Sequence, residues 1–354
     1  MIRFRLVSLK IQAILRESTI YRRRARLSKI GDGLELRDVY GATMERIKAQ
    51  DDGKSRLAMA ALMWVSHAAR PLQTDELCNA LAVELGSKNF NAGNAPSIST
   101  LLGWCQGLIT VDKEASTVQL IHPTVKEYLS ACRDIFSRPH STMAEICLTY
   151  LNSKQVQEIP ASDSLDTSHT PFLGYCSVHW GAHAKKDLSD HARSLALDLF
   201  RGYNHHISSK LLLKQVKCLD RWGRARNFGS NVFKNTTSPF SALHCVSFFG
   251  IVELVPNFTK NERSINARDI RGSTPLVWAA RNGHVEVVEM FLGYLRATPT
   301  SVIIRSLHRC CMPFGMGMSE WRKYYSVIKR SNPTCQMATG ERPSHTLLRV
   351  GLRE

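Results

Sequence analysis

The sequence feature that most constrains the fold of this chain is an internal repeat with a fixed interval of 33 residues. The first copy contains Ser241–His244, Gly250 and Val252, and the second contains Thr274–Val277, Gly283 and Val285. A repeat of this length is one supersecondary unit that cannot bury its apolar face alone, so neighbouring units must stack. We therefore expect residues 236–296 to form two stacked helix pairs.

The residues of the second copy favour a specific helix pair. Thr274 is a good N-cap, Pro275 suits the first helical turn, and Gly283 can adopt the left-handed conformation that ends a helix. The apolar residues of the second, antiparallel helix are Val285, Val287, Val288 and Leu292. An interval of 33 residues is the period of ankyrin repeats. Two repeats bury little surface, and Pro256 weakens the outer helix expected in the first copy.

Ankyrin repeats bind protein partners through the tips of their turns and the inner helix face. The residues in those positions are Arg268, Asp269, Arg271, Arg281 and Asn282. We take them as candidate partner-binding residues. The alternative is that they only keep the repeat surface soluble.

Residues 54–135 carry the pattern of a winged helix, with three short helices followed by a β-hairpin. Apolar residues keep helical spacing in three stretches. The first helix ends before Pro71, the second follows Thr74, which we expect to cap it, and the third starts at Ser97. Two β-rich runs, Leu108–Val111 and Val118–Ile121, then flank a polar turn and predict the wing. We expect Trp104 and the leucines of the third helix to lie in the core.

The remaining segments are less regular. Residues 1–50 contain two apolar stripes with helical spacing, and residues 140–230 predict a small helical connector. Residues 297–354 follow no ankyrin spacing, and we expect a disordered basic tail there, with an altered reading frame as the alternative. The predicted fold class is therefore mainly α, with one small β-hairpin.

Charge and cysteine content limit the classes of function. The net charge is +17, of which residues 1–30 carry +8 and residues 299–354 carry +6, so the basicity belongs to the two ends. The ten cysteines include no CxxC pair, which argues against a zinc ribbon or a redox motif. We expect a reducing, cytoplasmic location, with the nucleus as an alternative. The Arg-rich, acid-poor start also fits a mitochondrial transit peptide.

Several short motifs, in this order, resemble the C-terminal part of fungal NACHT-ankyrin signalling proteins. The matching segments are Asp38–Tyr40, Met44–Ile47, Ala69–Leu72, Asp75–Leu77, Cys105–Leu108 and Ile121–Leu129, followed by Phe172–Leu173, His179–Trp180, His183 and the repeats. Together they span about residues 4–295. The resemblance implies that residues 1–50 are a remnant of the C-terminal helices of the NACHT domain. Its winged helix is similar to one found in proteins named for an inositol deacylase.

The same resemblance assigns a nucleotide-contact role to His122. In related NACHT proteins, a histidine that opens the helix after the wing faces the phosphates of bound ADP, and His122 occupies that position. The alternative is a helix-start histidine packed at a domain boundary. The chain has no GxxxxGK[ST] loop, so the main phosphate-binding element is missing from it.

The residue pattern also raises a zinc site and a DNA-binding surface as candidates. Cys176, His179 and His183 share one helical face, but three ligands without a fourth predict packing rather than zinc, so we expect no metal. A DNA-binding winged helix would need a basic third helix, and Ser97–Cys105 contains no Lys or Arg. We expect no nucleic-acid partner.

The sequence therefore predicts a non-catalytic regulatory protein that binds other proteins through its ankyrin segment. We expect no enzyme activity, no cofactor and no membrane partner. The alternative is a portion of an ATP-dependent signalling switch whose nucleotide-binding domain is missing from this chain.

Overall fold

The computed structural model describes most of the chain between residues 11 and 294. The described residues are 11, 14–15, 18–28, 34–160, 169–215, 218–219, 225–226, 240–259, 262–269 and 272–294. The predicted tail at 297–354, the start of the predicted first helix and Arg271 therefore lie outside the described residues.

Helices account for most of the described structure. They are α1 (Ile20–Ser28), α2 (Leu34–Lys48), α3 (Asp52–His67), α4 (Thr74–Ala82), α5 (Ile98–Trp104), α6 (Pro123–Ala131), α7 (Pro139–Leu151), α8 (Lys154–Gln157), α9 (Pro171–Lys186), α10 (Asp190–Phe200), α11 (Ile207–Gln215), α12 (Ala242–Phe249), α13 (Glu262–Ile265), α14 (Pro275–Arg281) and α15 (Val285–Tyr294). Short 3₁₀ helices span Ala92–Asn94, Arg133–Ile135, Tyr203–His205 and Val252–Asn257. The strands are β1 (Leu72–Gln73), β2 (Ile109–Asp112), β3 (Thr117–Leu120), β4 (Cys218–Leu219) and β5 (Ala225–Arg226).

The chain divides into two compact units. The first comprises Met1–Glu158 and Asp166–Leu195, and the second comprises Ile159–Leu165 and Ala196–Glu354. The boundary falls within α10, so the predicted helical connector at 140–230 contributes residues to both units.

The first unit is a winged helix with an added helical layer. Its wing is the predicted hairpin, in which Asp112 pairs with Thr117 and Ile109 pairs with Leu120. The sequence did not indicate β1, which extends the wing to a three-stranded antiparallel sheet in the order β1-β3-β2. Leu72 of β1 pairs with Val118, so the strand before α4 is tied to the wing.

The starts of α4 and α5 illustrate how local sequence sets the helix ends. The predicted start of the third helix at Ser97 is confirmed, and Ser97 serves there as the cap, because its hydroxyl accepts a hydrogen bond from the Thr100 amide. Thr74 was expected to cap α4 but is its first helical residue. The cap position belongs to Gln73, whose amide donates to the carboxylate of Glu76 at 2.9 Å.

The core of the first unit forms around α9, which packs on α7 and α4 and places aromatic rings against α3. Trp64 of α3 is fully buried, and its ring makes edge contacts with Phe172 at 5.5 Å and Tyr175 at 5.7 Å between centroids. The Tyr175 hydroxyl also accepts a hydrogen bond from the Ala69 amide at 3.0 Å. The aromatic-rich helix α9 therefore packs on the winged helix.

Helix α2 belongs to the same core. Its residues Tyr40, Met44 and Ile47 are buried, and the Tyr40 hydroxyl is 2.8 Å from the Thr124 hydroxyl at the start of α6. Gln50, which follows α2, donates to the carbonyl of Trp104 at 2.8 Å. The second of the two helical stripes predicted within residues 1–50 is thus confirmed, and it packs as part of the winged-helix unit.

The second unit contains the two helix pairs of the repeat. The inner helices α12 and α14 pack against each other, and α15 packs on α14 as its antiparallel partner. The outer element of the first copy is the 3₁₀ helix Val252–Asn257, with Pro256 inside it. The predicted weakening of that helix by proline is confirmed, because proline cannot supply the amide hydrogen that a continuing α-helix requires.

Among the described residues, no helix has both the length and the apolar content needed to cross a membrane.

Candidate protein-interaction surface

The turn that precedes α14 is built around a buried aspartate. The Asp269 side chain is only 3% exposed, and its carboxylate accepts hydrogen bonds from the Ser273 amide and the Trp278 indole N–H, both at 2.8 Å. The Asp269 amide donates in turn to the Ser273 carbonyl at 2.9 Å. The Asp269 carboxylate thereby fixes both the turn and the Trp278 ring of α14.

This placement corrects the expectation that Asp269 lies on the surface. Its carboxylate is engaged inside the repeat, so it shapes the turn instead of meeting a partner. Because Asp269 is a polar residue at the tip of a predicted turn, the sequence alone suggests that it lies on the surface. The buried Trp278, whose indole N–H needs an acceptor, was the signal for a different role.

A buried histidine joins the first repeat to the same turn. His244 Nδ1 accepts from the Ser241 amide at 3.2 Å, while its Nε2 lies 3.1 Å from the carbonyls of Ala267 and Ser273. These contacts fit a neutral ring with its proton on Nε2. Burial also lowers the pKa of His244, which keeps it neutral. The turn is therefore stabilised by residues of both repeats, His244 in the first and Trp278 in the second.

Helix α14 begins and ends as the sequence predicted. The Thr274 hydroxyl accepts from the Val277 amide, Pro275 is in the first turn, and Gly283 has φ 76°. In the first copy, Gly250 also has a positive φ, of 74°, and a Cβ added there would lie 2.4 Å from the ring of His284. Glycine is required at this position by both conformation and space.

The candidate partner-binding residues lie in different environments. Arg268 and Asn282 are exposed, and Arg281 is half-buried, with its guanidinium carbon 4.9 Å from the centre of the Trp278 ring. Arg268 also donates to the Gly272 carbonyl at 3.3 Å. The surface that we call the repeat shelf comprises Arg268, Arg281 and Asn282, and the fully buried Trp278, held by Asp269, supports Arg281 from inside the repeat.

His122 is the N-cap of α6. Its Nδ1 accepts from the Thr124 amide at 3.3 Å and is 2.8 Å from the Thr124 hydroxyl. That hydroxyl is the one that contacts Tyr40 of α2. The cap thus links the helix after the wing to α2, which is the packing role described by the alternative interpretation of this histidine. The nucleotide contact remains a prediction.

The three residues weighed as zinc ligands lie in the aromatic core of the first unit. Cys176 is fully buried, and its pKa is raised by burial. His183 is 2% exposed, and its Nε2 contacts the Tyr175 hydroxyl at 2.9 Å. Among the described residues, no group of three or more His, Cys, Asp or Glu side chains has the arrangement of a metal site.

His183 also belongs to a row of three histidines that the sequence did not indicate, in which His183 is buried and His140 and His67 are half-buried. Its Nδ1 is 2.9 Å from Nδ1 of His140, and the His140 ring is 5.6 Å from the ring of His67. Lys186 Nζ is 3.4 Å from Nε2 of His140. Burial, together with the neighbouring histidines and Lys186, lowers the pKa of His183 to about 3 and that of His140 to about 4. The row is therefore neutral at physiological pH.

An ion pair between a buried glutamate and an exposed arginine, linked to this row through Tyr175, was also missed. Glu76 is 5% exposed, and Arg70 binds both of its oxygens, at 2.6 and 2.7 Å. The Arg70 guanidinium also lies 5.3 Å from the centre of the Tyr175 ring. The motif Ala69–Leu72 followed by Asp75–Leu77 contained this pair, but residue types alone did not show that its charges meet.

Helix α5, the third helix of the winged helix, is neutral and only partly buried. Leu101 is buried, whereas Leu102 and Trp104 are half-buried. The expectation that Trp104 and all the leucines lie in the core is therefore corrected for these two residues. Without a basic residue, this helix lacks the charge that phosphate binding requires.

Comparison with known proteins identifies two segments. A family model described as "GPI inositol-deacylase, winged helix domain" matches residues 44–149, and an ankyrin-repeat model matches residues 271–302. No curated protein and no solved structure matches the chain. The predicted winged helix is confirmed, and of the two predicted ankyrin repeats the second is matched by the family model. The wider resemblance to fungal NACHT-ankyrin proteins remains a prediction.

Proposed function

We propose that this chain is a non-catalytic regulatory protein that binds a protein partner through the repeat shelf. The ankyrin repeat is a protein-binding architecture, and the winged helix belongs to a second compact unit. The proposal rests mainly on one observation. Asp269 and the caps of α14 fix the position of Trp278, and Trp278 fixes that of Arg281.

The arrangement suits binding because little order has to be created when a partner arrives. Trp278 is anchored by its indole N–H, and the rings of Phe240 and Phe248 contact it at 5.8 and 5.7 Å. Because the fixed Trp278 ring already holds Arg281 by stacking, this arginine loses little side-chain entropy on binding, so more of its contact energy appears as affinity. The NACHT-like role, in which a winged helix couples nucleotide state to assembly, stays the alternative.

Site-specific photo-crosslinking tests the proposal in the full chain. A photoreactive amino acid replaces Asn282 on the shelf, exposed Glu289 on α15, or exposed Lys126 on α6. We expect discrete protein adducts from position 282 and much weaker adducts from positions 289 and 126. Adducts from position 126 alone would instead assign binding to the winged helix and overturn the proposal.

A further inference from the structure

Exposed apolar side chains are concentrated near the start of the described structure. Among the described residues, six large apolar side chains are exposed, and four of them lie within residues 11–21. These four, which we call the apolar patch, are Ile11, Leu15, Ile20 and Tyr21, with exposed fractions between 48% and 82%. Single exposed apolar residues are normal on a protein surface, whereas a cluster of them in one segment indicates a contact surface.

Helical spacing and one hydrogen bond bring the members of the patch together. Ile11 and Leu15 are helical residues four positions apart and so share a face, whereas Ile14 beside them is buried. The Arg23 guanidinium donates to the Leu15 carbonyl at 3.1 Å, which holds α1 beside that helical turn. Ile20 lies three positions before Arg23 on the same side of α1, so its exposed side chain borders the turn that carries Leu15.

The same segment is strongly basic. Residues 18–31 contain five Lys or Arg and no Asp or Glu. Arg24, four positions after Ile20, shares its face and is exposed, as is Arg22. Neither Arg22 nor Arg24 forms a salt bridge with any described residue. A partner of this surface therefore has to accept apolar side chains and positive charge together.

We propose that the apolar patch and its arginines attach the chain to the surface of an anionic membrane. Apolar side chains enter the boundary between headgroups and acyl chains, while arginines stay at the headgroups and attract anionic lipids. This proposal is independent of the repeat shelf. It revises the expectation of no membrane partner, because attachment to a membrane surface needs no helix that crosses the membrane.

Two other classes of partner fit this surface less well. A groove-binding protein holds one continuous amphipathic helix through apolar residues at positions i, i+3, i+4 and i+7. Here the apolar residues belong to two helical segments separated by a bend at Ser18 and Thr19. A membrane surface needs only side chains that reach a common plane. A nucleic acid would pair the arginines with phosphates but would leave the aliphatic side chains in water.

Co-sedimentation of the full chain with phospholipid vesicles tests the proposal. One set of vesicles is pure phosphatidylcholine, and the other contains about 30% phosphatidylserine as the anionic lipid. We expect the chain to sediment with the anionic vesicles but not with the neutral ones, and to lose binding as salt is added, since salt screens the attraction. Failure to bind the anionic vesicles, or equal binding to both kinds, would overturn the proposal.

Two double variants test the two components of the surface. Ile20→Ser with Tyr21→Ser removes apolar side chains and should weaken binding to anionic vesicles about tenfold or more. Arg22→Gln with Arg24→Gln removes two charges and should weaken binding to a similar extent, since each cation near an anionic surface adds to the attraction. All four side chains are exposed, so both variants should fold normally. Unchanged binding by either variant would show that the surface is not the attachment site.

Matched controls separate the apolar patch from general basicity and apolarity. Leu85→Ser removes an exposed apolar side chain elsewhere in the first unit, and Lys113→Gln with Lys126→Gln removes two exposed charges from the wing turn and α6. Both control chains should bind anionic vesicles normally, and losses equal to those of the patch variants would contradict the proposal.

The other classes of partner give different results. Binding of a single-stranded oligonucleotide without binding of anionic vesicles would assign the arginines to a nucleic acid and overturn the proposal. Photo-crosslinking from position 21 to a discrete protein, again without vesicle binding, would assign the apolar patch to a protein partner instead.

Discussion

Acidification should destabilise the winged-helix unit through His183. One neutral hydrogen-bond arrangement satisfies its row, with Lys186 donating to His140, His140 to His183, and His183 to the Tyr175 hydroxyl. A proton added to Nδ1 of His183 would place an N–H against the N–H of His140. Lys186 and Lys126 also face the row, and Asp187, whose negative charge favours protonation of His140, is paired with Arg138.

The magnitude follows from proton linkage. The pKa of His183 is about 3 in the folded chain, against 6.5 for a free histidine. Because the folded-state pKa is lowered, its effect on stability is absent above pH 6.5 and grows as the pH falls from 6.5 towards 3. At pH 5 the unfolded chain gains about 2 kcal/mol by protonating this one residue, which is a large share of the stability of a typical domain.

Urea unfolding of the full chain at pH 7.5 and pH 5.0 measures this change. Hydrogen exchange in peptides from α3, α7 and α9 reports the unfolding of this unit. His183→Gln should be less stable than the natural chain at pH 7.5 but should lose about 2 kcal/mol less on acidification. His191→Gln alters an exposed histidine and should keep the natural pH dependence. An equal pH-dependent loss in His183→Gln and the natural chain would refute the reasoning.

Three further predictions concern single residues. Asp269→Ala leaves the Trp278 indole N–H and the Ser273 amide without their acceptor, which should cost about 2–4 kcal/mol and raise hydrogen exchange in residues 262–294 but not in the winged helix. Gly250→Ala forces a left-handed conformation and a clash with His284, and should lower stability by about 2 kcal/mol or more, measured in the same way. His122→Ala removes the cap of α6 and should cost about 1 kcal/mol. If His122 serves only as a cap, calorimetric titration with ADP or ATP should give no heat in either the natural chain or this variant; heat lost in the variant would support the nucleotide-switch alternative.

Local sequence patterns predicted the helix ends and the turns well. The hairpin, the helix start at Ser97, the position of Gly283 and the effect of Pro256 each depend on residues within a few positions of one another. Propensity, capping and backbone conformation act over that range. The same physics made Thr74 a plausible cap, but the Glu76 contact moved the helix start by one residue.

Long-range contacts could not be predicted from these patterns. β1 is only two residues long and exists because Leu72 meets Val118 across the fold. His140 and His183 are 43 residues apart, and neither carries a sequence signal for the other. For the interaction surface, residue type predicted Arg268, Arg281 and Asn282 as candidates. Only burial revealed that Asp269 lies beneath them.

The most direct test of the central claim is the yield of photo-crosslinked adducts at position 282 in the natural chain and in Asp269→Ala. The account predicts discrete adducts in the natural chain and their loss when the shelf loses its anchor, while α5 and α6 keep their normal hydrogen-exchange protection. Adducts that persist unchanged in Asp269→Ala would contradict the claim that the anchored shelf binds the partner.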